Sequence, residues 1–137
     1  MGQSPNRLLA MVVGAIYLVL GGLGFVASAG HAFFGTKGGM LLGVFEVNAF
    51  QNIVHILFGA ALLMAGTSPV RAAKTVNTVV GTACLVLGIV GLYLVDGPAN
   101  VFALNAPDQT LHLATAVVLL AAGLGADRVQ RPAVPLN

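Results

Sequence analysis

The residues of this chain best suited to chemistry are two histidines set in apolar surroundings, and each stands in a copy of one pattern. Val44 to Gly66 reads VFEVNAFQNIVHILFGAALLMAG, and 57 positions later Val101 to Gly123 reads VFALNAPDQTLHLATAVVLLAAG. Nine of the 23 aligned positions are identical, His55/His112 and Asn48/Asn105 among them. A neutral imidazole carries one donor and one acceptor and is the commonest protein ligand to a metal. Asn52 precedes His55 by three residues and Gln109 precedes His112 by three, so on a helix each amide shares a face with its imidazole. Seven residues past Asn48 or Asn105, at about 1.5 Å per residue, each imidazole sits roughly 10 Å below the helix start. Polar groups at such depth in a membrane face a bundle interior or a wet cavity, and are functional candidates by default.

Three chemistries suit this constellation. In the first, the histidines and amides hydrogen-bond across a shared axis and hold the helices together, each bond contributing about 0.6 to 2 kcal/mol. In the second, His55 and His112 are the two axial ligands of a haem b, and Asn52 and Gln109 accept the other N–H of each ring. Gly14, Gly21 and Gly24 recur as Gly81, Gly88 and Gly91 and would leave room for a flat macrocycle, although small residues also serve close helix packing. The third is a transition-metal or small-ligand site at the mouth, from His55, His112 and Asp108. Zinc would want four donors, and no Cys or Glu joins this depth. No serine or cysteine is placed beside a histidine and a carboxylate as a nucleophile would be.

The neighbouring polar residues have a structural explanation. Asn48 with Gln51, and Asn105 with Asp108, are spaced as capping boxes, and Pro107 suits a first helical turn. These four residues need no role beyond starting helices.

The elements that must position the histidines follow from composition. Hydrophobic residues make up 58% and charged residues 7%, against the roughly 25% charged expected of a soluble domain, so this is a membrane protein. The net charge of +2 comes from six basic and four acidic side chains, too few for a nucleic-acid surface. Cys84 is a lone cysteine in an apolar run and reads as a small core residue. Four runs are long enough to span a bilayer as helices: Leu8 to Ala29, Asn48 to Gly66, Val76 to Val95 and Asn105 to Gly125. Arg7 before the first run and Ala27-Ser28-Ala29 after it resemble a secretory signal. Against that, Val12 to Val26 aligns with Val79 to Tyr93 at an offset of 67, with eight of 15 positions identical.

Helix 1 thus matches helix 3 as helix 2 matches helix 4. The expected fold is an all-α integral membrane four-helix bundle, one domain over residues 1–137, built by internal duplication. Repeat 1 spans 8–66, repeat 2 spans 76–125, and 126–137 is a tail. Two hairpins entering from one side are related by a pseudo-twofold axis along the membrane normal, which places equivalent residues at equal depth. Arg7, Arg71, Lys74, Arg128 and Arg131 share one side and Lys37 alone takes the other, so both termini are expected in the cytoplasm. The segment from Gly30 to Val47 is expected to be a short amphipathic piece or an irregular turn at the outer interface, with His31 solvated.

The repeated Asn-Ala-x-x-x-x-x-His at Asn48 to His55 and Asn105 to His112, with glycine-rich first and third helices, resembles the small four-helix membrane proteins of domain of unknown function 4383, found in actinobacteria and related bacteria. The resemblance covers nearly the whole chain and implies no activity. The glycines and histidines also resemble, loosely, the haem bundle of cytochrome b, with one histidine per helix instead of two and therefore at most one haem.

The expected function is non-enzymatic: a small accessory or scaffolding subunit of a larger membrane complex or homo-oligomer in a bacterial cytoplasmic membrane, with lipid and not nucleic acid as its surroundings. The alternatives are a bis-histidine haem b electron carrier, and a small-ligand or quinone binder.

Overall fold

The computed structural model describes residues 4–127. Its order is α1 (Pro5–Ala27), β1 (Gly39–Leu41), β2 (Phe45–Val47), α2 (Ala49–Thr67), α3 (Val70–Leu94) and α4 (Ala106–Gly125). The helices hold 23, 19, 25 and 20 residues. At about 1.5 Å per residue the shortest is about 29 Å long, close to the thickness of a hydrocarbon core of about 30 Å. All four are long and apolar enough to cross a membrane, and the protein is a multi-pass membrane protein.

Local chemistry fixes the helix starts. Ser4 caps α1 by accepting from Arg7 N, with Pro5 in the first turn. Asn48 caps α2 by accepting from Gln51 N, and Asn105 with Asp108 forms the reciprocal box on α4. Ser68 and Pro69 alone separate α2 from α3, so these two helices run antiparallel through a tight turn.

Packing is closest within the hairpins α1–α2 and α3–α4, and it recurs residue for residue. A methyl group on Gly14 would stand 2.8 Å from Leu63 N, and one on Gly81 would stand 3.2 Å from Leu120 N. Gly21 lies on Ile56 and Gly88 on Leu113; Gly24 lies on the Asn52 amide and Gly91 on that of Gln109. In a bilayer, where burying apolar surface against lipid tails gains little, such backbone approach is what dispersion and interhelical hydrogen bonds require. Tyr17, Leu62, Cys84, Ala116 and Leu119 fill the space between the two hairpins.

Both described chain ends meet at one end of the bundle, here the terminal end. Ser4 Oγ and Asn6 Nδ2 donate to Asp127 Oδ2 at 2.7 and 2.9 Å, and Asn77 Nδ2 donates to Asn6 Oδ1 at 2.9 Å. Lys74 Nζ donates to the Ala126 carbonyl.

The opposite, hairpin end differs from expectation. In place of a short amphipathic piece or an irregular turn, 39–47 is an antiparallel β-hairpin pairing Gly39 with Val47 and Leu41 with Phe45. Its turn places Leu42 and Gly43 at positive φ, 54° and 69°, with Val44 N donating to Leu41 O. The strands fit because Gly39 lies against the Ala27 backbone, where no side chain could be accommodated. His31 is exposed, as expected.

Candidate binding site

The site is built inward from the hairpin end, layer by layer. Each capping asparagine spends its acceptor on its own helix and its donor on the other repeat. Asn48 Nδ2 donates to Val101 O and Asn105 Nδ2 to Val44 O, both at 2.8 Å. Val44 and Val101 are themselves equivalent under the 57-residue offset, so the two bonds form a reciprocal pair. Asn48 also donates to Gly35 O at 2.9 Å.

One layer deeper, Asp108 accepts from Asn105 N on Oδ2 and from Gln51 Nε2 on Oδ1, at 2.9 and 3.0 Å. Gln51 therefore does not reach back to its own cap; it bridges α2 to α4. Gln51 and Asp108 are both buried, so this pair carries more than helix initiation.

His55 and His112 lie about one turn further in, their rings side by side between α2 and α4. Their rings are 2% and 1% exposed, with centroids 5.7 Å apart and planes inclined by 52°. None of the four ring nitrogens has a hydrogen-bond partner among the described residues. An unpartnered buried polar atom costs about 1 to 3 kcal/mol, which sets these two imidazoles apart from the hydrogen-bonded polar groups around them. Tyr17 packs against the pair from α1. Its ring stands edge-on to His55 at 5.2 Å, and its hydroxyl donates to Thr115 Oγ1 at 3.0 Å and contacts Cys84 Sγ at 3.7 Å. Leu62 and Leu119, both fully buried, pack in the same core cluster as Tyr17.

Of the four residues proposed from sequence, the structure brings His55 and His112 together and turns the two amides away. Asn52 Nδ2 donates to Ser28 Oγ at 3.0 Å. Oriented to satisfy its surroundings, the Gln109 amide donates to Leu87 O and Gly88 O at 3.3 and 3.1 Å. Neither amide partners an imidazole; each fills the notch above a glycine, Gly24 or Gly91.

A haem b does not fit these residues. The room expected beside Gly14, Gly21, Gly81 and Gly88 is taken by α2 and α4, whose atoms would lie 2.5 to 3.0 Å from a single added carbon. No group of three or more His, Cys, Asp or Glu side chains is placed to hold a metal ion among the described residues, so the grouping of Asp108 with the two histidines as joint metal ligands also fails.

Sequence reasoning missed Tyr17, Thr115 and Ser28 as neighbours of the site. A signal existed for the first: Tyr17 and Cys84 are equivalent under the 67-residue offset, and each stands between aliphatic neighbours in its helix. Thr115 follows His112 by three residues and shares its face.

Searches of curated proteins and of solved structures found no match to this chain. A family model does match, over residues 7–125, which include all four helices apart from the first two residues of α1, both histidines and both capping asparagines. The chain belongs to the family described as a domain of unknown function (DUF4383).

Proposed function

We propose that this protein is a non-enzymatic accessory or scaffolding subunit, docking a transmembrane helix of a larger complex. The observation that carries this reading is an apolar cleft on the lipid-facing side between α1 and α4. Leu8 and Val12 form one wall, Val117 and Val118 the other, and Ala121 and Ala122 keep it open. The wall residues are about half exposed or more, and small residues between larger ones are what close helix approach in a membrane needs. Arg7, Arg71 and Lys74 at the terminal end, against Lys37 at the other, support a cytoplasmic location for both termini. Arg128 and Arg131, and most of the tail, lie outside the described residues.

Extraction into lipid nanodiscs followed by native mass spectrometry tests the reading. The expected result is co-purification with a membrane partner, lost when Ala121→Phe fills the cleft without lowering thermal stability. A bare monomer from native membranes would overturn it.

A second reading, a small-ligand binder, is favoured by the four unpartnered ring nitrogens. An absorption spectrum separates it from a haem carrier: a colourless preparation is expected, and a Soret band lost in His55→Ala would restore the haem.

A further inference from the structure

We propose that the groove between α3 and α4 at the terminal end holds the phosphodiester headgroup of an anionic phospholipid. This site shares no residue with the α1–α4 cleft or with the histidine layer.

The groove is open, about 350 Å3 in volume, and lined by Arg71, Lys74, Thr75, Thr78, Val79 and Gly123. That volume falls within the roughly 300 to 1,000 Å3 of small-molecule sites. Two cationic side chains enter it from α3, and no acidic one lines it. Arg71 is exposed, while Lys74, whose ammonium carries three donors, gives one of them to the Ala126 carbonyl. Spaced i, i+3, the guanidinium and the ammonium share one helix face, and both are phosphate binders. Basic pockets between transmembrane helices near a membrane surface are where anionic headgroups bind.

Height favours a lipid over a soluble anion. With 25 residues α3 is about 37 Å long, more than a hydrocarbon core of about 30 Å, and its charged start takes the excess into the headgroup layer. Val79 lies eight residues beyond Arg71, about 12 Å further in, and is 62% exposed. Between them Thr75 and Thr78 donate their hydroxyls to the Arg71 and Lys74 carbonyls at 3.1 and 2.9 Å. A ligand lying along this line meets charge, then hydroxyl oxygens, then an apolar side chain. Phosphate, glycerol backbone and acyl chain follow one another in that order.

The internal repeat shows that helix packing does not demand these residues. Under the 67-residue offset Arg71, Thr75 and Thr78 correspond to Ser4, Leu8 and Met11. Contacts keep the correspondence: a methyl group on Gly123 would meet Thr78 Oγ1 and Lys74 O, and one on the equivalent Gly66 would meet Met11 Cγ and Arg7 O. Repeat 1 thus makes the same approach with apolar side chains, and its Arg7 turns its head to the Gly66 carbonyl at 3.0 Å.

The test is native mass spectrometry of the full chain released from nanodiscs of phosphatidylcholine with increasing phosphatidylglycerol, paired with hydrogen exchange in the same discs. Retention of one phosphatidylglycerol per chain is expected, with slowed exchange confined to the first turns of α3. Arg71→Gln and Lys74→Gln should each weaken retention by about fivefold at unchanged melting temperature. Thr75→Leu with Thr78→Met, which installs the residues of repeat 1 and fills the groove without altering charge, should lower retention to the level of the Arg71 variant. Equal retention of both lipids by the wild type, or full retention in either glutamine variant, would overturn the proposal. So would full retention in the double variant, since attraction would then be a property of the basic end as a whole and not of the groove. Binding of inorganic phosphate that displaces the lipid would assign the groove to a soluble anion. If a variant fails to fold, exchange in the wild type decides, and no slowing at the start of α3 when phosphatidylglycerol is added refutes the site.

Discussion

Replacing Gly21 or Gly88 by alanine adds the same atom at equivalent places in the two hairpins, yet the consequences should differ. At Gly21 the new carbon would lie 2.8 Å from Asn52 O and 3.1 Å from Ile56 N, both backbone atoms of α2, as well as 2.7 Å from Ile56 Cγ1. Backbone cannot swing aside, so α1 must retreat by a few tenths of an ångström along the whole contact. Overpacking of this kind costs about 1 to 3 kcal/mol, offset by up to about 1 kcal/mol from alanine's better helix propensity. At Gly88 the close contacts are Leu113 Cδ2 at 2.5 Å and Cγ at 2.7 Å, while the nearest backbone atom is 3.4 Å away. Leu113 is half-buried and can change rotamer at about 1 kcal/mol, which the propensity gain nearly cancels. Gly21→Ala should therefore destabilise by about 1 to 2 kcal/mol, and Gly88→Ala should stay within about 0.5 kcal/mol of wild type. Reversible unfolding in mixed micelles with rising dodecyl sulfate, followed by circular dichroism, measures both. Equal losses, or a larger loss at Gly88, would refute the claim that contact with α2 backbone governs the α1–α2 interface.

Two further perturbations follow from the ends of the bundle. Asn48→Ala and Asn105→Ala each remove a helix cap and a bond to the other repeat, about 2 kcal/mol together, and Asn48→Ala should cost more because its amide also holds Gly35 O; the same micelle unfolding ranks them, and an equal or reversed order would contradict the geometry. Hydrogen bonds from Ser4 and Asn6 hold the Asp127 carboxyl below its usual range. A depressed folded pKa means that this stabilisation is present above the unfolded value of about 3.9 and is lost as pH falls through the folded one. Melting temperatures should drop below about pH 4 in the wild type and be flatter there in Asp127→Asn, and parallel curves would remove the role given to Asp127.

The sequence made the transmembrane architecture legible because a bilayer demands long apolar runs, and the Asn-Ala-x-x-x-x-x-His repeat put His55 and His112 at matching heights. Identity at nine of 23 positions also anticipated that Asn48 and Asn105 would act alike, as their reciprocal bonds to Val101 and Val44 bear out. What it did not reveal depends on which way a side chain turns. Asn52 and Gln109 share a face with the histidines, but Gly24 and Gly91 open notches on α1 and α3 that take the amides first. The same glycines looked like space for a macrocycle, since spacing alone cannot distinguish a void from a close approach of backbone. Nor did composition announce the β-hairpin at 39–47, whose short strands contain Gly39 and Glu46, residues of weak strand preference, and which is supported by the turn at Leu42 and Gly43 and the fit of Gly39 on α1. Asn6 and Asn77 meet across the bundle through helices 1 and 3 at positions that are not equivalent under the repeat, so no internal comparison pointed to them.

The facing of the two imidazoles across the bundle axis is best tested by magic-angle-spinning NMR on the protein in bilayers, with histidine rings labelled in carbon and nitrogen and His31→Gln removing the third signal. Rings 5.7 Å apart should give a direct ring-to-ring cross-peak between His55 and His112, abolished in either single His→Gln variant. Two isolated ring systems with no mutual cross-peak at mixing times that reveal every contact of that length would contradict the account.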